Sequence, residues 1–180
     1  LTDTTTVLRP TSVAEVAELL RAAHRDGRTV MAAGGRTKLG WAPDPTSMDL
    51  LLDTTGLDRV VEHTAGDLVA IAEAGVRLST LQEKLGSDGQ WLALDPPELD
   101  ATLGGIVSAN ASGPRRLRFG TVRDLLIGIT VVLADGTQLA LTLRILTYDR
   151  NLEARAGNAC IEHFGFDVGD LHMSHCKFCR

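Results

Sequence analysis

Asp95-Pro96-Pro97-Glu98, Thr102-Leu103-Gly104-Gly105-Ile106-Val107, Ser112-Gly113-Pro114-Arg115-Arg116 and Phe119-Gly120-Thr121-Val122-Arg123-Asp124 follow one another in a single stretch, 95–136, which closes on an apolar run and Asp135-Gly136. Pro96-Pro97 sets an extended backbone. Thr102 is placed to cap a short helix whose first turn holds Gly104-Gly105. Amides at such a start favour an anionic or electron-rich group, and missing side chains permit close approach. Ile106 and Val107 anchor that helix in the core, and Ala109 lies near its end. Asn110, Ser112 and Gly113 form a polar turn. Arg115, Arg116 and Arg118 then offer guanidinium groups to a phosphate or an acid. Residues Ile127 to Leu133 read as a buried strand, with Asp135-Gly136 turning into Thr137 to Leu141. Such a backbone suits a flat, phosphorylated ligand, although a glycine-rich connection with a solvated basic loop has the same pattern.

Upstream, Thr5 to Leu8 reads as an extended entry ending at Arg9-Pro10. Ser12 and Glu15 form a capping-box signal. Val13, Val16, Ala17, Leu20 and Ala23 recur at helical spacing on one face, and Asp26-Gly27 ends the helix. Thr29 to Ala32 reads as a buried strand. At its end comes a second chemical feature, Ala33-Gly34-Gly35-Arg36-Thr37-Lys38-Leu39-Gly40-Trp41. Glycines after a strand let successive N–H groups point into one concavity, a common way to hold a pyrophosphate. Arg36 and Lys38 add positive charge and Thr37 a hydroxyl. The spacing matches neither Gly-x-Gly-x-x-Gly nor the Walker pattern, and a tight turn with solvated basic side chains fits the loop as well.

Met48 to Asp53, Arg59 to His63 and Leu68 to Glu73 read as strands, separated by turns at Thr54-Thr55-Gly56 and Ala65-Gly66-Asp67. Leu78, Leu81, Gln82 and Leu85 mark a short helix, ended by Gly86 and Asp88-Gly89, and Trp91 to Leu94 another strand. The order β, α, β, loop, β, β, β, α, β implies an α+β fold. His24 and His63 are isolated in sequence and carry no assigned role.

A chain of 180 residues fits one domain or two small lobes, and its 44% hydrophobic and 23% charged residues are ordinary globular values. The formal net charge of −5 argues against general nucleic-acid binding. No run approaches the ~18 apolar residues of a membrane span, and Leu1-Thr2-Asp3 does not open a signal peptide. The expectation is a soluble cytoplasmic protein, or one held at the inner membrane through partners. All 3 cysteines and the only tyrosine lie after residue 140, which marks a boundary.

Gly34 to Gly40, Asp95-Pro96-Pro97, Ala101 to Gly105, Ser112 to Arg116, Gly120 to Asp124 and Ile127-Gly128 stand in the order and spacing of a known family. Over residues 1–140 the chain resembles the FAD-binding domain of the vanillyl-alcohol-oxidase (PCMH-type) flavoproteins. Within that family it is most similar to the FAD-binding E subunit of bacterial glycolate oxidase. The resemblance implies two α+β lobes, at about 1–75 and 76–140, with FAD between them. It implies a cofactor site made by Ala33, Gly34, Gly35, Arg36, Thr37, Lys38, Leu39, Gly40, Trp41, Pro96, Thr102, Leu103, Gly104, Gly105, Ala109, Ser112, Gly113, Arg116 and Gly120. Relatives with covalent FAD often use a histidine in the first loop; this loop has none, so non-covalent FAD is expected. A small 2-hydroxy acid is the implied substrate. A second flavin subunit and an iron–sulfur subunit are the implied partners.

After Gln138 the family pattern would continue with Lys-Asn-x-x-Gly-Tyr-Asp and Gly-x-x-Gly-x-Leu segments and then a substrate-binding cap. Residues 141–180 do not match it, which leaves the second lobe incomplete, the cap absent and the catalytic acid and base unassigned. His172, His175, Cys176 and Cys179, with Cys160 and His163 in reserve, have some character of a zinc site. They are crowded into eight residues, and a replaced or shifted C-terminus without selected function is the competing account. No metal ligand is assigned.

Overall fold

The chain is described here from a computed structural model covering residues 5–41, 48–139 and 144–150. Strand β1 (Thr6–Leu8) leads into helix α1 (Val13–Arg25), where the Ser12 hydroxyl accepts a hydrogen bond from Glu15 N at 3.2 Å. The Glu15 carboxylate reaches one residue further back than a capping box requires, accepting from Thr11 N at 2.8 Å. Gly27, at φ 65°, then turns the chain into β2 (Val30–Ala33). Strand β3 (Leu50–Asp53) lies between β1 and β2 and runs parallel to both, and α1 is the crossover that brings β2 back in the direction of β1. Leu52 and Leu57 meet Val16 of α1 on one face of this sheet, and Ala33, Met48 and Leu51 cluster together on the other.

The second group of elements begins with β4 (Val60–Thr64) and β5 (Val69–Ala72), followed by α2 (Leu78–Gly86), β6 (Gln90–Trp91) and α3 (Leu103–Ala109). Two single-turn helices, α4 (Arg116–Phe119) and α5 (Val122–Leu125), precede β7 (Leu126–Gly128), β8 (Val131–Val132) and β9 (Gln138–Leu139). Strands β10 (Arg144–Leu146) and β11 (Tyr148–Asp149) complete the described chain. The main sheet is antiparallel with order β4-β5-β10-β7. Its core gathers Ala70, Leu81, Leu85, Leu92, Leu103, Ile106, Leu125 and Ile145, each at or below 1% exposure, so sheet, α2, α3 and α5 share one interior. One parallel and one antiparallel sheet with helices against them make the expected α+β architecture.

Two expectations change. Residues 92–94 are buried but form no strand, because the Gln82 amide takes the place of a neighbouring strand: its Nε2 donates to Leu92 O and its Oε1 accepts from Leu92 N. The run Ile127 to Leu133 is neither continuous nor buried. It divides into the edge strand β7 and the separate β8–β9 hairpin, and the outward residues Ile127, Val131 and Leu133 are exposed. Beyond the stretch that carries the family resemblance, residues 144–146 pair into the main sheet. Strand β10 lies between β5 and β7, and Ile145 is fully buried.

His63, isolated in sequence, is enclosed by polar partners. Its Nδ1 lies 3.2 Å from Asp88 Oδ2 and its Nε2 2.9 Å from Gln90 Oε1, while Thr147 Oγ1 donates to the same Gln90 oxygen at 2.8 Å. This network ties β4 to the turn before β6 and to the residue after β10. Among the described residues, no helix is long and apolar enough to cross a membrane.

Ile145→Ala is expected to destabilise the protein by about 2–5 kcal/mol, read from urea denaturation, because it empties a fully enclosed position. Acid should weaken the fold as well. The backbone N–H and then the hydroxyl of Thr121 hold the Asp124 carboxyl below its ordinary range, and Thr29 does the same for Asp49. A depressed folded pKa contributes stability above the unfolded value and loses it as pH falls through the folded value. Denaturation midpoints should therefore hold near neutrality and fall below about pH 4. Asp49→Asn should be less stable than wild type at pH 7 and lose less on acidification.

Candidate functional site

The segment 95–102 is a spine on which the glycine segments converge. Lys38 Nζ bonds Glu98 Oε1, linking the first loop to the residue after Pro96-Pro97. A Cβ added to Gly35 would lie 2.2 Å from Asp100 O, and one on Gly34 would lie 2.2 Å from Thr102 Oγ1. Only a residue without a side chain lets the loop backbone come this close. At the other end of the spine, Asp95 N donates to Ser112 O at 3.4 Å, and Asp95 Oδ1 accepts from Arg115 N at 3.1 Å.

Thr102 occupies the N-cap position of α3 with extended backbone, but its hydroxyl makes no capping bond. It is 1% exposed, and Oγ1 has no hydrogen-bond partner among the described residues. Its nearest neighbours include the open positions of Gly34 and Gly105. Gly105 and Ala109, one turn apart, are exposed and carry almost no side chain, which gives α3 a smooth outer strip. Among the described residues, the backbone N–H groups of Gly35, Arg36 and Thr37 have no protein acceptor. Arg36 sits at φ 58°, the left-handed turn within a concavity of successive amides. Free donors beside an orphaned hydroxyl and a smooth helix strip fit a cofactor carrying both phosphate and a planar ring.

The start of α3 differs from expectation. Leu103 N donates to Val76 O at 2.8 Å and Gly104 N to Ala74 O at 2.7 Å, so these amides are committed to protein carbonyls. Gly104 is needed for packing, since a Cβ there would meet Ala74 Cβ at 2.8 Å, and Leu103 is wholly buried in the core. The Ser112 hydroxyl accepts from Val122 N at 3.1 Å and thereby fastens α5. Gly113, at φ 68°, fits against Asp95, and Gly120, at φ 84°, against Asp124. Pro96 is buried beside the spine; Ala33 ends β2, where its carbonyl accepts from Thr54 Oγ1 at 3.2 Å. Arg116 is exposed, as are Leu39, Gly40 and Trp41, while Thr37 and Arg36 lie on the open side of the loop.

Both cations of the first loop already face carboxylates. Arg36 Nη2 lies 3.1 Å from Asp53 Oδ2, and Lys38 pairs with Glu98 while resting 3.9 Å from the centroid of the Trp41 ring. Burial raises the Asp53 carboxyl, but bonds from the Thr55 hydroxyl and N–H, together with Arg36, outweigh it and hold it below the usual range. The Lys38 hydrogen bond lowers Glu98 against an opposing effect of burial. Glu98, Asp53 and Asp100 were not singled out as site residues from the sequence. Glu98 is 60 positions from Lys38, and no local pattern signals that pairing.

A sizeable cavity lies elsewhere. It has a volume of about 620 Å³ between α1, the parallel sheet, β4–β5 and β8, with Val16, Leu20, Leu52, Ile71 and Val132 in its wall. None of the cofactor-site residues expected from the sequence lines it. No group of three His, Cys, Asp or Glu suited to a metal ion occurs among the described residues. Cys160, His163, His172, His175, Cys176 and Cys179 lie outside them.

A family model described as "FAD binding domain" matches residues 4–142. The chain is 34% identical over 130 residues to D-lactate dehydrogenase of Archaeoglobus fulgidus, covering 72% of this chain and 29% of that protein. It is 34% identical over 134 residues to mitochondrial D-2-hydroxyglutarate dehydrogenase of Bos taurus, covering 74% of this chain and 25% of that one. Among solved structures, alkyldihydroxyacetonephosphate synthase superposes with a TM-score of 0.71 at 20% identity, covering 79% of this chain and 34% of its own. 6-Hydroxy-D-nicotine oxidase of Arthrobacter nicotinovorans does so with 0.69 at 17%, covering 79% and 36%. At these identities the structural likeness concerns the fold. The chain spans between 24% and 29% of the length of the curated relatives it matches.

Gly35→Ala is expected to weaken FAD binding at least tenfold and to cost about 1–3 kcal/mol of stability, because its Cβ meets a backbone carbonyl that cannot swing away. Flavin titration and thermal denaturation of the same sample measure both. In Gly34→Ala the new Cβ meets the Thr102 side chain, so the double variant with Thr102→Ala should recover part of the stability lost by the single one.

Proposed function

The chain belongs to the FAD-binding-domain family, its cofactor is FAD, and from that premise we propose that it is the cofactor-holding domain of an oxidoreductase acting on a small 2-hydroxy acid. The observation that carries the reading is the docking of Gly34-Gly35 on Asp100–Thr102, which leaves the Gly35–Thr37 amides and the Thr102 hydroxyl at one place without partners among the described residues. The free amides and Lys38 receive the pyrophosphate. Gly105 and Ala109 let a planar group lie against α3, and Thr102 Oγ1 supplies one hydrogen bond. Bound flavin supplies the hydride chemistry, and the protein supplies position and electrostatics.

The substrate class rests on the names of the relatives, D-lactate and D-2-hydroxyglutarate dehydrogenases. Within it a glycolate-type acid is our choice, with the domain working as one subunit beside a second flavin subunit and an iron–sulfur subunit. The FAD is dissociable, since no histidine stands in 33–41. One observation favours a second reading. The free amides, Thr102 Oγ1 and the α3 strip account for holding FAD, and no catalytic acid or base is assigned among the described residues, so a domain that holds FAD or a partner without turning substrate over is the second reading.

Purified chain mixed with FAD should turn yellow and release all its flavin on denaturation, leaving a non-fluorescent band on a denaturing gel. A colourless protein that FAD does not restore would overturn the cofactor assignment. Anaerobic addition of glycolate or D-lactate, with partner subunits present, should bleach the flavin absorbance. Persistent yellow colour with every 2-hydroxy acid favours the non-catalytic reading.

A further inference from the structure

Lys38 and Glu98 are joined although each lies in a segment with other work to do. Their side chains are only 19% and 16% exposed, and the Glu98 carboxylate uses one oxygen on Lys38. Its other oxygen, Oε2, is buried without a hydrogen-bond partner among the described residues. A half-satisfied buried carboxylate is a costly arrangement for a resting contact. The neighbouring charges are occupied. Asp100 pairs with Arg77 and Arg36 with Asp53, so Lys38 is the cation in contact with Glu98 among the described residues. Lys38 is held against the Trp41 ring on its other side and projects from the same loop as the free Gly35–Thr37 amides.

We propose that Lys38–Glu98 is an anion-exchange latch: the Glu98 carboxylate holds the loop lysine in the cofactor-free chain, and the pyrophosphate of FAD displaces it. This rests on the cofactor reading above and adds an internal competitor to it. Before binding, the carboxylate neutralises Lys38 and keeps the loop docked on the spine. On binding, two phosphate charges replace one carboxylate at the ammonium group, a stronger partner for a point charge. Glu98 is then released beside an anion and without its cation. Lys38 holds the free carboxyl low, so its release raises the pKa, and FAD binding takes up protons as pH falls toward the carboxylate range. Affinity should therefore tighten with acidification.

The test uses the full chain and titrates FAD, ADP and riboflavin by calorimetry at pH 5.5 and 7.5, comparing wild type, Glu98→Gln, Lys38→Gln and the double variant. Circular dichroism and melting confirm folding, and Glu98→Ala replaces Glu98→Gln if the latter does not fold. At pH 7.5, Glu98→Gln is expected to bind FAD and ADP at least threefold tighter than wild type, with riboflavin unchanged. In the Lys38→Gln background that gain should fall by at least half. Wild-type affinity for FAD should rise at pH 5.5, and this pH response should shrink in Glu98→Gln. Wild-type binding of FAD with equal or weaker binding by folded Glu98→Gln overturns the latch alone. A wild type that binds neither FAD nor ADP overturns the cofactor reading and the latch together.

Discussion

The contact between Gly34-Gly35 and Asp100–Thr102 is the constraint on which the rest of the site depends. At both glycines a methyl group would stand 2.2 Å from an oxygen of the spine. Removing the side chains lets two backbone segments lie against each other where most sequences would keep them apart. The loop leaves the parallel sheet at the end of β2, and the spine leads into α3, whose inner residues belong to the larger core. One close approach thus couples the two α+β units and places the loop amides beside the α3 surface.

Hydrogen-bonding side chains hold much of the remaining irregular chain. Asp95 clips the Ser112–Arg115 turn, Asp124 bonds both N and Oγ1 of Thr121, and Ser112 fastens Val122. Gln82 provides both hydrogen bonds of a missing strand neighbour at Leu92, and Gln90 links Ala65, His63 and Thr147. These bonds matter because a buried backbone group without a partner costs far more than an average hydrogen bond contributes. They let the polypeptide bend repeatedly between 86 and 125 while Leu92, Arg115, Thr121 and Val122 keep acceptors for their backbone N–H groups. The same economy makes the Thr102 hydroxyl and Glu98 Oε2 conspicuous, since both are buried and unpartnered among the described residues.

Much of this was legible locally. The Ser12 cap, the stripe of α1, the β4–β5 pair and the leucine spacing of α2 follow from patterns within a few residues, and the structure contains each. The two glycine segments were also readable, because glycine pairs beside Arg, Lys and Thr have a distinctive composition, and the family resemblance supplied FAD as their ligand. Misreadings arose where partners are distant. The Ile127–Leu133 run looked like one buried strand because apolar content does not say which strand will lie alongside it. The structure of residues 144–146 was left open because their partners are distant in sequence, at 69–71 and at 126 and 128.

By itself the sequence determined the α+β alternation and marked the glycine segments at 34–35 and 104–105 as places where backbone can approach closely, while the ligand was named through the family resemblance. The alternation and the glycine signal depend on residue chemistry and short spacings. Tertiary structure alone decided that Gly104 packs on Ala74 rather than facing a ligand, that the Leu103 and Gly104 amides are already used, and that Lys38 meets Glu98. The physical reason is range. Helical periodicity and turn preference act over a few residues, whereas the partner of a glycine face or a lysine is set by which backbones the whole fold brings within contact.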